Sequence, residues 1–251
     1  RSALEPVNRM TLRYPLTTAQ LARADPPDRG RWLAVAAGGL GCALLLSGCV
    51  SGSQIHQALG PSYHPDNIHC IYPLLPDTIH RVAVLPITVE SGDWQAACER
   101  EHLQPILNSE FGKAKKFELV AVSPEQLREW TGRSAWPAAE PLPNTLLSEL
   151  ERQLGCDAVL FSHLRPFHAY KPMVMGWMLQ LVECQKQQIF WSADEVFDAA
   201  DERVVRAAQK YSQQHGESWW QPLADPASIL SSPRRFSHYT LSALFATLPG
   251  R

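Results

Sequence analysis

A run free of charged residues from Trp32 to Leu46, preceded by Arg29 and Arg31, divides this chain before any fold is considered. Fifteen residues of helix rise only about 22 Å, short of the roughly 30 Å hydrocarbon core of a bilayer, so the run is a poor membrane span. A basic flank, a short apolar core and the small residues Ser47 and Gly48 make the pattern of a cleaved export signal. Residues 1–48 are therefore read as a signal peptide and set aside from the fold. The chain opens on Arg1, and Met10 is a candidate translation start, which would leave residues 1–9 untranslated.

Leu46-Ser47-Gly48-Cys49 resembles the bacterial lipobox: an aliphatic residue, two small ones, then cysteine. The resemblance implies cleavage between Gly48 and Cys49, diacylglycerol on the Cys49 thiol and acylation of the new amino terminus. Each buried methylene contributes about 0.8 kcal/mol and a single chain binds only marginally, so several chains are needed for lasting attachment. The competing readings are an ordinary Cys49 in a signal cut elsewhere, or an uncleaved anchor. Gly39-Leu40-Gly41-Cys42 is a weaker site, with glycine in the aliphatic position, and would leave Ala43 to Leu46 on the mature chain. Val50, with no aspartate after the lipid site, resembles cargo sorted to the outer membrane.

From Cys49 onward the chain has the length of one ordinary domain. The whole chain's net charge of −2 gives no bulk affinity for nucleic acid, and its 45% hydrophobic residues is normal for a packed core. Of six cysteines, Cys70, Cys98, Cys156 and Cys184 remain once the signal and the lipid site are removed. Export makes disulfides chemically possible, although four cysteines allow three connectivities. Cys70 and Cys98 flank the first strand and are the expected pair. Cys156 and Cys184 lie in apolar, strand-like surroundings and read as buried thiols.

Residues 49–77, rich in Gly, Ser, Pro, Asn and His, read as a lipidated flexible tether, with residues 78–251 forming a single domain. Arg81 to Ile87 is the first convincing strand. Leu103, Ile106, Leu107 and Phe111 mark a helix over about 93–113, with Pro105 expected to start or bend it near Gln104. Phe117 to Val122 reads as a strand, and Ser123-Pro124-Glu125-Gln126 as a capped helix start. A helix over Asn144–Leu154 stops at Gly155, and Cys156 to Leu164 is a third strand. Met173–Val182 and Gln188–Phe197 read as a hairpin. Helices over 200–214 and from Pro233 follow, the latter burying Phe236, Tyr239, Leu241, Leu244, Phe245 and Leu248. The order β-α-β-α-α-β-β-β-α-α implies an α/β (α+β) fold with one mixed sheet and helices packed on it.

The strand ending Val84-Leu85-Pro86, the transition Leu119-Val120-Ala121-Val122-Ser123 with Gln126-Leu127, and Gly155-Cys156-Asp157-Ala158-Val159-Leu160 after its helix recur in a group of exported domains. Over about Arg81 to Asp198 the chain resembles the amino-terminal domain of TolB, the curli-secretion lipoprotein and the lipoproteins that activate peptidoglycan synthases. The resemblance implies a sheet-and-helix domain used for assembly in the cell envelope, usually without enzymatic activity. Alanine is common in those relatives where this chain has Cys156.

A G-x-S-x-G elbow, H-E-x-x-H and a glycine-rich phosphate loop are all missing from the sequence. His163 and His168 lie near the end of the third strand, where α/β sheets place ligands. Asp157 and Cys156 lie at its other end, roughly 20 Å away at 3.3 Å per residue, so a shared metal site is not expected. Glu99, Glu101 and Glu110 read as charges on a solvated helix face. Trp219, Trp220 and Pro222 lie outside any periodic element and are the candidate partner-binding residues. The reading is a non-catalytic, lipid-anchored envelope protein facing the periplasm, with unidentified envelope proteins as partners and no cofactor besides the lipid on Cys49. The alternatives are a secretion-channel subunit of the curli-lipoprotein type and an unrecognised envelope enzyme. The hairpin is apolar on both faces, at Met173, Met175, Trp177, Leu179 and Leu181 and again at Val174, Met178 and Val182, which suits a covered strand better than a wet barrel wall.

Overall fold

The computed structural model describes residues 62–137, 140, 144–215 and 226–251, all within one compact unit. Seven strands form an open mixed sheet, and five helices among the described residues pack on it. The strands are β1 (Ile68–Cys70), β2 (Arg81–Val84), β3 (Thr88–Val89), β4 (Glu118–Ala121), β5 (Ala158–His168), β6 (Val174–Glu183) and β7 (Gln188–Asp198). The helices are α1 (Trp94–Lys113), α2 (Pro124–Thr131), α3 (Asn144–Leu154), α4 (Glu202–His215) and α5 (Pro233–Phe245), with a 3-10 turn over Pro226–Ser231.

The strand order is β1-β7-β6-β5-β2-β4, with β3 pairing β5 beyond the end of β2. β5, β2 and β4 run parallel, while β5-β6-β7-β1 is an antiparallel meander. The parallel half needs crossovers, and α1, α2 and α3 supply them. The helices occupy both faces. On one face Val82, Val84, Leu160, Trp177, Leu179 and Trp191 meet Leu103, Leu107 and Phe111 of α1 and Phe236, Leu241 and Leu244 of α5. On the other, Ala83, Leu85, Val159 and Phe161 meet Leu127 of α2 and Leu146, Leu147 and Leu150 of α3. Both outer strands are short, which limits the unpaired backbone offered to other chains.

The capped start at Ser123 is as read: its hydroxyl accepts from Gln126 N–H (3.2 Å), and the Gln126 side chain accepts from Ser123 N–H (3.0 Å). Gly132 closes α2 in the left-handed conformation (φ 77°). Pro105, expected to start or bend its helix, does not interrupt α1. It sits on the exposed face, where the Glu101 carbonyl that loses its helical partner is open to water. Its neighbour Gln104 holds the helix to the sheet, accepting from Ile87 N–H at 2.7 Å.

Two differences from the sequence reading change the edge of the sheet. The segment expected to be tether contributes β1, whose Ile68, His69 and Cys70 pair Ala193, Ser192 and Trp191. Leu75 and Ile79 are buried, and Leu75 N–H donates to Gly250 O (2.7 Å), so the folded part reaches back well before residue 78. β5 also continues past Leu164 to His168, through an irregularity between Leu164 and Phe167. There Gly176 of β6 lies so close to Arg165 that a Cβ would stand 2.1 Å from its carbonyl oxygen.

Candidate functional site

The expected lipidation site Cys49, the expected cleavage position Gly48 and the candidate contact residues Trp219, Trp220 and Pro222 lie outside the described residues. What is described is where the segment beginning at Ser62 meets the sheet. Glu195, buried on β7, accepts from the Tyr63 hydroxyl, from Asp66 N–H (3.1 Å) and from Asn67 N–H (3.2 Å). Asn67 Nδ2 donates to Asp194 O (2.7 Å), and Arg203 lies over the Tyr63 ring at 5.8 Å. Burial, then the Glu195 carboxylate, push the Tyr63 hydroxyl far above its ordinary range, so it stays a donor. One carboxylate thus gathers three donors from a single incoming segment.

The expected Cys70–Cys98 disulfide is not formed; both thiols are free and exposed. The topology gives the reason. Cys70 ends β1 at one edge of the sheet, while Cys98 sits on α1, which packs at β3 and β5. Three inter-strand steps separate β1 from β5, about 14 Å at 4.8 Å each, whereas a disulfide needs alpha carbons within about 7 Å. Cys156 and Cys184 are the pair that meets. Both are buried, and their Sγ atoms lie 3.9 Å apart. Their shared hydrogen bond lowers the Cys156 thiol from its ordinary value and, with burial, raises that of Cys184.

Glu110, expected on a solvated face, is instead buried between α1 and α5. It takes Lys113 Nζ at 2.7 Å and His238 Nδ1 at 2.6 Å. Nearby on α4, burial and then the Glu110 charge raise the Tyr211 hydroxyl to about 12. Glu101 is exposed, as read, and Glu99 is half-buried. Helical spacing identified the first apolar stripe of α1 but not the second surface on which α5 docks; His238 and Glu110 carry no sequence signal for each other.

His163 and His168 do not come together. His163 is buried, its Nδ1 2.9 Å from Thr88 Oγ1, and burial followed by the Arg165 charge depresses its pKa. His168 is exposed at the end of β5. The Asp157 side chain instead fixes backbone, its Oδ2 accepting from His80 N–H (2.8 Å) and Arg81 N–H (2.9 Å). Among the described residues no three His, Cys, Asp or Glu side chains converge on a point that would hold a metal ion. Among them, too, no helix is long and apolar enough to cross a membrane.

One open hollow of about 320 Å³ lies between α2 and α3, lined by Trp130, Thr131, Trp136, Thr145, Leu146 and Glu149. Trp136, Thr131 and Glu149 each have partners there. Trp136 Nε1 donates to Thr131 Oγ1 (3.2 Å), and Arg133 covers the Trp136 ring at 4.3 Å. Hydrogen bonds from Arg152 and then Gln153 hold Glu149 below its ordinary pKa. A carboxylate so held is a poor general acid, and the hollow offers aromatic walls without a reactive group.

No protein-family model and no curated protein matches this sequence. Solved structures do resemble the chain at low identity. The PelC dodecamer from Paraburkholderia phytofirmans matches at 12% identity and a TM-score of 0.41, over 73% of this chain and 98% of that one. Lipoprotein GNA1162 from Neisseria meningitidis matches at 14% identity and 0.33, over 47% of this chain and 79% of that one. The LpoB C-terminal domain from Escherichia coli matches at 23% identity and 0.32, covering 47% and 83%. The structural neighbours thus include the peptidoglycan-synthase-activator lipoprotein named among the sequence resemblances.

Proposed function

We propose that this is a non-catalytic, lipid-anchored protein of the cell envelope, facing the periplasm at the outer membrane, that binds or assembles other envelope components. The observation that carries the reading is the lipobox-like Leu46-Ser47-Gly48-Cys49 placed a short distance before a clamped segment. Cys49 and Tyr63 are 14 positions apart (63 − 49). Even fully extended, that length reaches only about 50 Å at 3.3–3.6 Å per residue. A sheet held so near the bilayer meets partners at the membrane surface, and its rigid, doubly covered core makes it a platform.

Trp219, Trp220 and Pro222 are the proposed contact residues, because tryptophan is enriched among interface anchors and this segment follows no helical or strand period. The test has two arms. Cys49→Ala abolishes incorporation of labelled fatty acid and leaves an uncleaved precursor; label retained on Cys49→Ala but lost on Cys42→Ala refutes the anchor. Crosslinking of the lipidated protein in cells, followed by affinity purification, recovers envelope proteins, and Trp219→Ala with Trp220→Ala removes them at an unchanged melting temperature. Turnover of a cell-wall or ester substrate by the purified domain, lost on changing one His or Glu, refutes the non-catalytic reading.

A further inference from the structure

Cys156 and Cys184 are the one cysteine pair the fold brings into contact among the described residues, and neither has a part in the function proposed above. Cys156 lies between α3 and β5, and Cys184 directly follows β6. The two backbones are tied together at this point, Cys184 N–H donating to Asp157 O at 2.9 Å. Both side chains are buried (1% and 2% exposed) in the apolar layer of Val159, Val182 and Leu150. Two thiols without a third ligand do not hold a metal in the tetrahedral manner of zinc, and a nucleophile sealed from solvent serves no substrate.

We propose that Cys156 and Cys184 are joined by a disulfide in the exported protein. The proposal rests on the export reading, since persistent disulfides belong to oxidising compartments. Sulfur atoms 3.9 Å apart need to approach by about 2 Å to reach bonding distance. Both residues lie just outside the strands, so rotation about their side-chain bonds supplies the approach while the Cys184 N–H to Asp157 O bond holds the two backbones in place.

The chemistry is exchange with an exogenous disulfide, RSSR. The Cys156 thiolate attacks one sulfur of the oxidant, breaking its S–S bond and expelling one RS⁻. Cys184, having given up its proton, attacks the Cys156 sulfur of the mixed disulfide and expels the second RS⁻. The two protein thiols are oxidised, RSSR is reduced to two RSH, and the two protons leave on those thiols. Because the folded core seals both sulfurs, exchange takes place before the α2–α3 layer closes, and the finished bond is then shielded from reductants.

The test uses the full-length protein from cell envelopes, denatured in iodoacetamide and digested with trypsin. Arg165 and Lys171 each precede proline, so trypsin leaves Gln153–Lys186 as one peptide containing both cysteines. The expected peptide carries no alkyl group before reduction and two after it, and Cys184→Ser leaves Cys156 alkylated without reduction. Two alkyl groups on the unreduced wild-type peptide overturn the proposal, as does a Cys156 that stays blocked in Cys184→Ser. Fatty-acid labelling of the same preparation separates the two readings. Lipid present with free thiols refutes the disulfide and leaves the anchor standing. If lipid is absent, the anchor reading fails, and the disulfide is decided on the full chain refolded with oxidised glutathione, by the same peptide.

Discussion

Gly176→Ala is the sharpest perturbation this fold offers. The added methyl would stand 2.1 Å from Arg165 O, 2.7 Å from Arg165 C and 2.8 Å from Pro166 Cδ. Real contacts of this kind are not closer than about 3 Å, so the backbone of β5 or β6 must retreat by nearly an ångström. No flexible side chain is available to yield, because the nearest two atoms are main chain. The retreat would disturb the pairs on either side, Leu164↔Trp177 and Phe167↔Met175, whose four side chains are all buried. Overpacking of a tight core costs about 1–3 kcal/mol, and a main-chain clash between two buried strands belongs at the upper end. For a domain of this size, about 3 kcal/mol lowers the melting temperature by roughly 6–12 °C. Gly112, inside α1, is the internal control: a Cβ there meets nothing within 4 Å. Gly112→Ala is expected to raise stability by up to about 1 kcal/mol, because alanine loses less backbone entropy in a helix. Thermal unfolding followed by circular dichroism reads both. If Gly176→Ala melts within about 2 °C of wild type, the close approach of β5 and β6 is wrong and the reasoning fails with it.

Three further outcomes are expected. Glu195→Ala removes the acceptor of three hydrogen bonds from the incoming segment. A local loss of at least about 2 kcal/mol raises chymotrypsin cleavage after Tyr63 at least roughly thirtyfold, and an unchanged rate would refute the clamp. Glu110→Ala is expected to cost about 2 kcal/mol, measured by urea unfolding, because His238 and Lys113 lose a charged partner; Glu101→Ala, on the exposed face, serves as the neutral comparison. His163 gives a pH dependence of defined sign. Its folded pKa lies below the ordinary value of 6.5, so the unfolded chain takes up the proton first as pH falls. The stability it contributes is complete above about 6.5 and is lost as pH drops from there through the folded value. His163→Gln should flatten the melting temperature between pH 7.5 and 5 relative to wild type, and parallel curves would refute the assignment.

The elements legible in the sequence are those whose signals are local. The Ser123–Gln126 box, the Leu147–Leu150 stripe ended by Gly155 and the long apolar hairpin each carry their own instruction. β1 and β3 carry none: three and two residues are too few to show a period, and they become strands only because β7 and β5 offer unpaired backbone. The same holds for polar residues. Glu110 and Glu101 lie on one helix and read alike, but α5 docks over only the first. The cysteine contacts differ from the expected pairing for a related reason. Nearness in sequence to a strand says little when that strand pairs elsewhere, and Cys156 and Cys184 meet only because β5 and β6 are antiparallel neighbours.

The Glu195 clamp also decides how tension enters the molecule. Any pull arriving along the chain before Ser62 reaches Tyr63 first, then Asp66 and Asn67, and only afterwards the three rungs joining β1 to β7. These attachments lie in series, so the carboxylate works as a fuse ahead of the sheet. Were it to give way, the short strand would become extra slack, and the segment before β2 would lengthen while the strands from β2 to β7 kept their pairing. A tug that would otherwise tear at the core is converted into reach.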